Sequence, residues 1–121
     1  MSTLNTFLAV FLGSKSSAKM AAWNDLSDAE RKAKEQQGIA AWKGWAQRHQ
    51  NAIVAMGGPL GKTKKISPNG IEDVTNAMGA FTTVRAESLE AAARLFLDHP
   101  HFTIFPGDAV EVMPILPIPG A

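Results

Sequence analysis

The fold is decided by the stretch TFLAVFL, residues 6–12. It is rich in residues that favour strands, and Gly13-Ser14 closes it. Successive side chains of a strand point to opposite faces of the sheet. The two alternating sets are both apolar: Phe7, Ala9 and Phe11 on one side, Leu8, Val10 and Leu12 on the other. A strand of this kind needs cover on both faces.

Helices on either side of the central strands in the sequence are expected to cover one face of the sheet. A short helix is expected from Ser16 to Trp23, and Ser27 then begins a longer one that runs to His49, because Ser27 and Glu30 form a capping-box pattern. Gly38 weakens the middle of that helix and is a possible bend. A later helix is expected from its N-cap at Ser88 through Leu97, with His99-Pro100 ending it.

Three further main strands and a flap complete the pattern. The main strands are residues 53–56, 78–85 and 110–113. Between the first two, residues 64–67 and 71–74 flank Pro68-Asn69-Gly70, a tight-turn sequence, and predict a hairpin in which Lys65 faces Glu72.

Strand, helix, strand, flap, strand, helix, strand is the order of an α+β fold of the ferredoxin-like βαββαβ type. Such a fold has a four-stranded antiparallel sheet with both helices on one face. The other face is then open although its residues are apolar. We therefore predict a homodimer that packs sheet face to sheet face, a dimeric α+β barrel.

Bulk properties narrow the class of protein. A chain of 121 residues fits a single domain spanning residues 1–121, and a net charge of +1 argues against nucleic acid as the main partner. The chain has no cysteine, which excludes disulfides and thiolate metal sites. No stretch has the apolar length of a membrane helix. These properties predict a cytoplasmic protein without a membrane partner.

Several motifs in a fixed order resemble the YCII-related, or DGPF-type, family. They are Gly57-Gly58-Pro59-Leu60, Ala86–Ala93, His99-Pro100 and Val110–Pro114, and the resemblance covers most of the chain from about Trp42 onward. It implies the dimeric α+β barrel fold. Some members of this family act on small aromatic or lactone-type compounds, with a His–Asp pair as the proposed machinery.

The sequence departs from the family at that pair. His99 stands where the family has its aspartate, and Ala41 or Trp42 stands where it has its histidine. The resemblance therefore implies the location of a cleft and not the chemistry of the pair.

His99 and Glu111 are the candidate catalytic residues. A histidine titrates near neutrality and acts as acid, base or ligand, although His99 and His101 are equally well explained as a loop that caps a helix. Glu111 points away from Val110 and Val112, and if both faces are covered it is a buried carboxylate that either titrates unusually or forms an ion pair with Arg85 or a lysine. These side chains show no recognised metal-ligand spacing, so no metal and no cofactor are predicted.

The candidate ligand-binding residues are Trp42, Trp45, Lys62, Asn76 and His101. The two tryptophans share a helix flank, which is typical of a core and also suits the wall of a pocket for a flat ligand. Lys62 belongs to a basic flap edge that is either solvated or attracts an anion. Asn76 either donates to a ligand or caps a turn.

A phosphate-binding loop is rejected. Gly57 precedes Gly61 by four positions, whereas the phosphate-loop pattern requires five, and no parallel sheet is expected.

These residues favour a YCII-like protein that binds or transforms a small, possibly anionic organic molecule by lyase- or isomerase-type acid–base chemistry. The alternative is a non-catalytic dimeric module with a structural or regulatory role. Catalysis requires His99 and a second polar group beside one solvent-connected cavity.

Overall fold

The computed structural model of the chain describes residues 4–120. Its strands are β1 (Asn5–Leu12), β2 (Ile53–Pro59), β3 (Thr63–Ser67), β4 (Gly70–Val74), β5 (Met78–Ala86) and β6 (Ala109–Pro114). Its helices are α1 (Ala18–Asp25), α2 (Asp28–Arg48), α3 (Leu89–Arg94) and α4 (Pro100–Thr103). Within this described range, no helix combines the length and the hydrophobicity needed to cross a membrane.

The main sheet has the strand order β2-β5-β1-β6, and each neighbouring pair is antiparallel. The predicted α+β fold with a ferredoxin-like four-stranded sheet is confirmed. β3 and β4 form a separate two-stranded sheet, which is the predicted hairpin. Lys65 Nζ lies 3.4 Å from Glu72 Oε1 across it, as expected from the sequence.

The core lies between the sheet and the helices. Trp45 of α2 is its largest buried side chain, and its Nε1 donates a hydrogen bond to the Leu95 carbonyl over 2.7 Å. This bond satisfies the polar atom that makes a buried tryptophan costly. The other apolar members of the core are Phe7, Ala9, Phe11, Val84, Ala86, Ala92 and Phe96.

The second apolar set of β1 lies on the opposite sheet face. The register places Val10 beside Phe81 of β5 and Leu8 beside Met113 of β6 on this face. Met113 is 37% exposed. The two-sided hydrophobicity of β1 thus corresponds to a helix-covered face and an open face.

Helix α2 begins with the predicted capping box and continues through Gly38 without interruption. The glycine therefore does not end the helix, and the structure gives it a packing role. A Cβ atom at Gly38 would lie 2.4 Å from Cε2 of Phe105, so the missing side chain makes room for that ring. Gly38 is a packing site.

The segment after β5 differs from the prediction. Helix α3 begins after Ser88 as expected but ends at Arg94 instead of Leu97. Asp98 then has a φ of 56°, in the left-handed region, which turns the chain away from the helix direction. His99 consequently starts a new helix, α4, rather than ending α3.

Candidate functional site

His99 is the N-cap of α4 and is fully buried. Its Nδ1 accepts a hydrogen bond from the His101 backbone N–H over 3.0 Å. Such a bond stabilises a helix start by supplying an acceptor for one of its free N–H groups. The local sequence explains the geometry, because Pro100 at the first helical position needs no N–H partner.

Aromatic rings enclose the His99 side chain. Its ring centroid lies 4.4 Å from that of Trp42 at an angle of 88°, and 4.7 Å from that of Trp45 at 70°. Phe11 and Phe96 complete the enclosure, with centroids at 5.0 Å and 6.0 Å. The rings come from three separate elements, so they meet only in the folded chain.

The hydrogen bond at Nδ1 fixes the tautomer of His99. Because Nδ1 accepts, the neutral ring carries its proton on Nε2. Nε2 is buried and has no hydrogen-bond partner. The aromatic enclosure supplies only weak N–H···π contacts to such a group.

Burial also controls the charge of His99. It lowers the pKa of the imidazole to about 3, and the positive charges that His101 and His49 can carry act in the same direction. His99 is therefore neutral at physiological pH. A fully buried ring with this pKa does not exchange protons with solvent near neutrality.

His101 occupies a more open position. Its Nε2 lies 2.7 Å from the Leu12 carbonyl oxygen, to which it donates. Burial lowers its pKa, although the Leu12 carbonyl and the Asp108 carboxylate oppose that shift. The Nε2 proton is committed to Leu12, so Nδ1 is the ring nitrogen that retains a free lone pair.

A cleft of about 580 Å³ lies between α2 and the edge of the sheet. Helix α2 forms one wall with Ile39, Trp42, Lys43 and Ala46, which recur at helical spacing. The strand segments 56–59 of β2 and 79–82 of β5 form the opposite wall, and His101 and Phe105 close one end. The lining is mostly apolar, and its polar side chains are those of Lys43, Thr82 and His101.

An irregularity in β2 shapes the strand wall. The register between β2 and β5 shifts between Ala55 and Gly58. Gly57 has a φ of 65°, and a Cβ atom there would meet the Phe81 carbonyl, so this position requires glycine. The Thr82 hydroxyl donates to the Met56 carbonyl over 2.8 Å and supplies a partner inside the bulge.

The predicted ligand-binding residues separate into two groups. Trp42 and His101 line the cleft. Trp45 is 2% exposed and belongs to the core. Asn76 is exposed and caps a turn, donating to Thr63 Oγ1 and accepting from the Met78 N–H. Lys62 is exposed and does not line the cleft.

The two predicted catalytic residues are not brought together. Val110 and Val112 pack against the core on the helix-covered face, so Glu111 between them points to the open face and is exposed. His99 lies in the core on the other side of the sheet. The structure of one chain therefore gives no shared cavity for this pair.

Lys43, Thr82 and Phe105 of the cleft were not singled out from the sequence. Lys43 has a usable signal, because it follows Trp42 and lies four residues after Ile39 on the packed half of α2. Thr82 and Phe105 have no comparable sequence signal. Thr82 reaches the cleft because of the bulge in β2, and Phe105 reaches it because its ring packs over Gly38. Among residues 4–120, no three His, Asp or Glu side chains are close enough to bind one metal ion.

Comparisons with known proteins give a structural likeness and no match to a family model or a curated sequence. A solved structure, 5-chloro-2-hydroxyhydroquinone dehydrochlorinase (TftG) from Burkholderia phenoliruptrix AC1100 in complex with 2,5-dihydroxybenzoquinone, is 16% identical. The match covers 89% of this chain and 90% of that one, with a TM-score of 0.49. A likeness of this strength carries no argument about ligand or activity.

Proposed function

We propose that this chain is a YCII-like protein that binds a small, flat, largely apolar organic molecule in the cleft between α2 and the edge of the sheet. The observation that carries the proposal is the cleft itself, about 580 Å³ with a tryptophan ring in its wall. Ligand sites are typically apolar concavities of this size with a few polar groups. Trp42 offers an aromatic surface, and His101 offers a polar contact that orients the ligand.

Binding is better supported than catalysis at His99. The buried, neutral His99 does not reach solvent, and its Nδ1 is occupied by the His101 N–H. We assign it a positioning role, in which it packs against Trp42 and holds the start of α4 beside the cleft. His101 is the histidine that lines the cleft, and we assign any proton transfer to a ligand to it rather than to Glu111.

The homodimer is part of the proposal. The open sheet face presents Leu8, Phe81 and Met113, an apolar surface of the kind that marks an interface. A second copy packed on this face completes the barrel implied by the family resemblance. Glu111 then lies at the interface, because it points to the same open face.

Ligand binding is tested by blocking the mouth of the cleft. Ile39 is 51% exposed and lines the cleft, whereas Ala40 is exposed on the same helix and does not. We expect 2-naphthamide, a flat neutral probe, to bind the wild-type chain and the Ala40→Trp variant, as measured by calorimetry. Ile39→Trp fills the mouth and should abolish the binding. Equal binding by both variants would overturn the proposal, as would a wild type that binds neither 2-naphthamide nor its carboxylate analogue 2-naphthoate.

The homodimer is tested by the mass of the particle in solution. Leu8→Lys places a charge on the open face, while Ile66→Lys places one on the hairpin, where Ile66 is 73% exposed. Sedimentation should show a dimer for the wild type and for Ile66→Lys, and a folded monomer for Leu8→Lys. A monomeric wild type would refute this part.

A further inference from the structure

The charge of the cleft resides on one side chain. Among the residues that line it, Lys43 is the only one with a formal charge at neutral pH, since burial lowers the pKa of His101 and no aspartate or glutamate takes part. A basic flap edge was the sequence-based candidate for attracting an anion. In the structure, Lys64 and Lys65 of that flap pair with Asp73 and Glu72.

Lys43 has no such partner among residues 4–120. Helical neighbours three and four residues away are the ones that form ion pairs along a helix. At Lys43 these positions hold Ile39, Ala40, Ala46 and Gln47, none of them acidic. Within residues 4–120, no salt bridge involves Lys43.

The surroundings of Lys43 strengthen its field at the cleft. Ile39, Trp42 and Ala46 share the same wall, so the Lys43 side chain lies beside an apolar concavity. Low-dielectric walls focus the potential of a single charge into a cleft. A ligand whose flat body lies against Trp42 and whose edge carries an anionic group would satisfy both features of this wall.

We propose that the ligand of the cleft is a flat aromatic or conjugated carboxylate, or an anion of equivalent shape, and that Lys43 selects it over neutral analogues. This inference rests on the proposed function, because it concerns the same cleft. It adds a ligand class and a specificity-determining residue. Lys43 contacts the anionic group, while Trp42 contacts the flat body.

The test compares 2-naphthoate with 2-naphthamide, which have the same shape and differ in charge. The wild type should bind the carboxylate about two- to fivefold more tightly at low ionic strength, the range expected for one solvent-accessible ion pair. Added salt should reduce this preference because it screens the charge. Lys43→Gln should bring the ratio of the two dissociation constants to about one, and Lys43→Arg should preserve it.

Lys32→Gln is the matched control, since it removes an exposed positive charge from the same helix outside the cleft. It should leave the ratio unchanged. If the wild type binds both probes equally, or if Lys32→Gln lowers the ratio as much as Lys43→Gln does, the inference is overturned while the proposed function stands. Failure of both probes to bind would instead overturn the proposed function, and this inference with it.

Discussion

The buried imidazole of His99 makes the stability of the fold dependent on pH in a calculable way. Its pKa is about 3 in the folded chain and 6.5 in the unfolded chain. Above about pH 6.5 both states are neutral and the group has no effect. As the pH falls below 6.5, the unfolded chain binds a proton that the folded chain refuses, so stability is lost until about pH 3.

The magnitude follows from the size of the shift. One unit of pKa difference corresponds to about 1.4 kcal/mol. At about pH 4.5, two units below the unfolded value, His99 should lower the free energy of unfolding by about 3 kcal/mol relative to about pH 8. His101 and His49 also have lowered pKa values and act in the same direction. Their contribution persists when only His99 is replaced.

Two substitutions isolate the contribution of His99. His99→Phe keeps an aromatic ring and removes the unpaired Nε2–H, which offsets the loss of the acceptor for the His101 N–H. His99→Asn keeps an acceptor for that N–H but loses ring contacts. Neither side chain titrates, so both variants should lose about 3 kcal/mol less than the wild type when the pH falls from about 8 to about 4.5.

The assay is urea unfolding over this pH range, with His49→Gln as a control that retains most of the wild-type slope. If the profiles of both His99 variants run parallel to that of the wild type, His99 is not a buried neutral group and the reasoning fails. A His99 ring resonance that titrates near pH 6.5 would have the same meaning.

The remaining predictions concern packing and caps, and each is measured by urea unfolding. Gly38→Ala should destabilise the chain by about 1–3 kcal/mol because its Cβ meets Phe105. Gly44→Ala on the same helix should instead stabilise it by about 1 kcal/mol. Equal effects of the two substitutions would contradict the packing role of Gly38. Ser27→Ala removes the acceptor of the capping box and should cost about 1 kcal/mol, and no loss would count against that cap. Trp45→Phe leaves the Leu95 carbonyl unpaired and should lower the free energy of unfolding by about 2–4 kcal/mol. Trp23 is only half-buried, so Trp23→Phe should lower it by less than about 1 kcal/mol. A comparable loss in both variants would contradict the role of the buried hydrogen bond.

Local sequence signals were sufficient for the main sheet and for the starts of α2 and α3. The alternation in residues 6–12 indicated a strand with two apolar faces, and Ser27 and Ser88 are the caps that the sequence predicted. These features depend on periodicities and hydrogen bonds within a few residues. Interactions between residues close in sequence therefore determine these features, and such interactions can be predicted from the sequence.

The role of His99 is not visible at that range. The segment Asp98-His99-Pro100-His101 has the polar character of an exposed loop, yet rings from α2, β1 and the chain after α3 enclose His99. Gly38 is similar, since its purpose depends on Phe105, which lies 67 residues later in the sequence. Long-range packing decides both positions, and no local pattern encodes it.

The β3–β4 hairpin has a consequence for how this chain can change in length. Pro59 already pairs with Ala80, and the Leu60 N–H donates to the Gly79 carbonyl over 2.9 Å, so β2 and β5 are joined before the hairpin begins. The residues between Leu60 and Gly79 therefore form a loop, containing the hairpin, that connects two strands already paired at its base. The entropy of closing a loop grows only slowly with its length. This is therefore the place where the chain can be shortened to a tight turn, or can accept an inserted peptide, without disturbing the pairing of the main sheet.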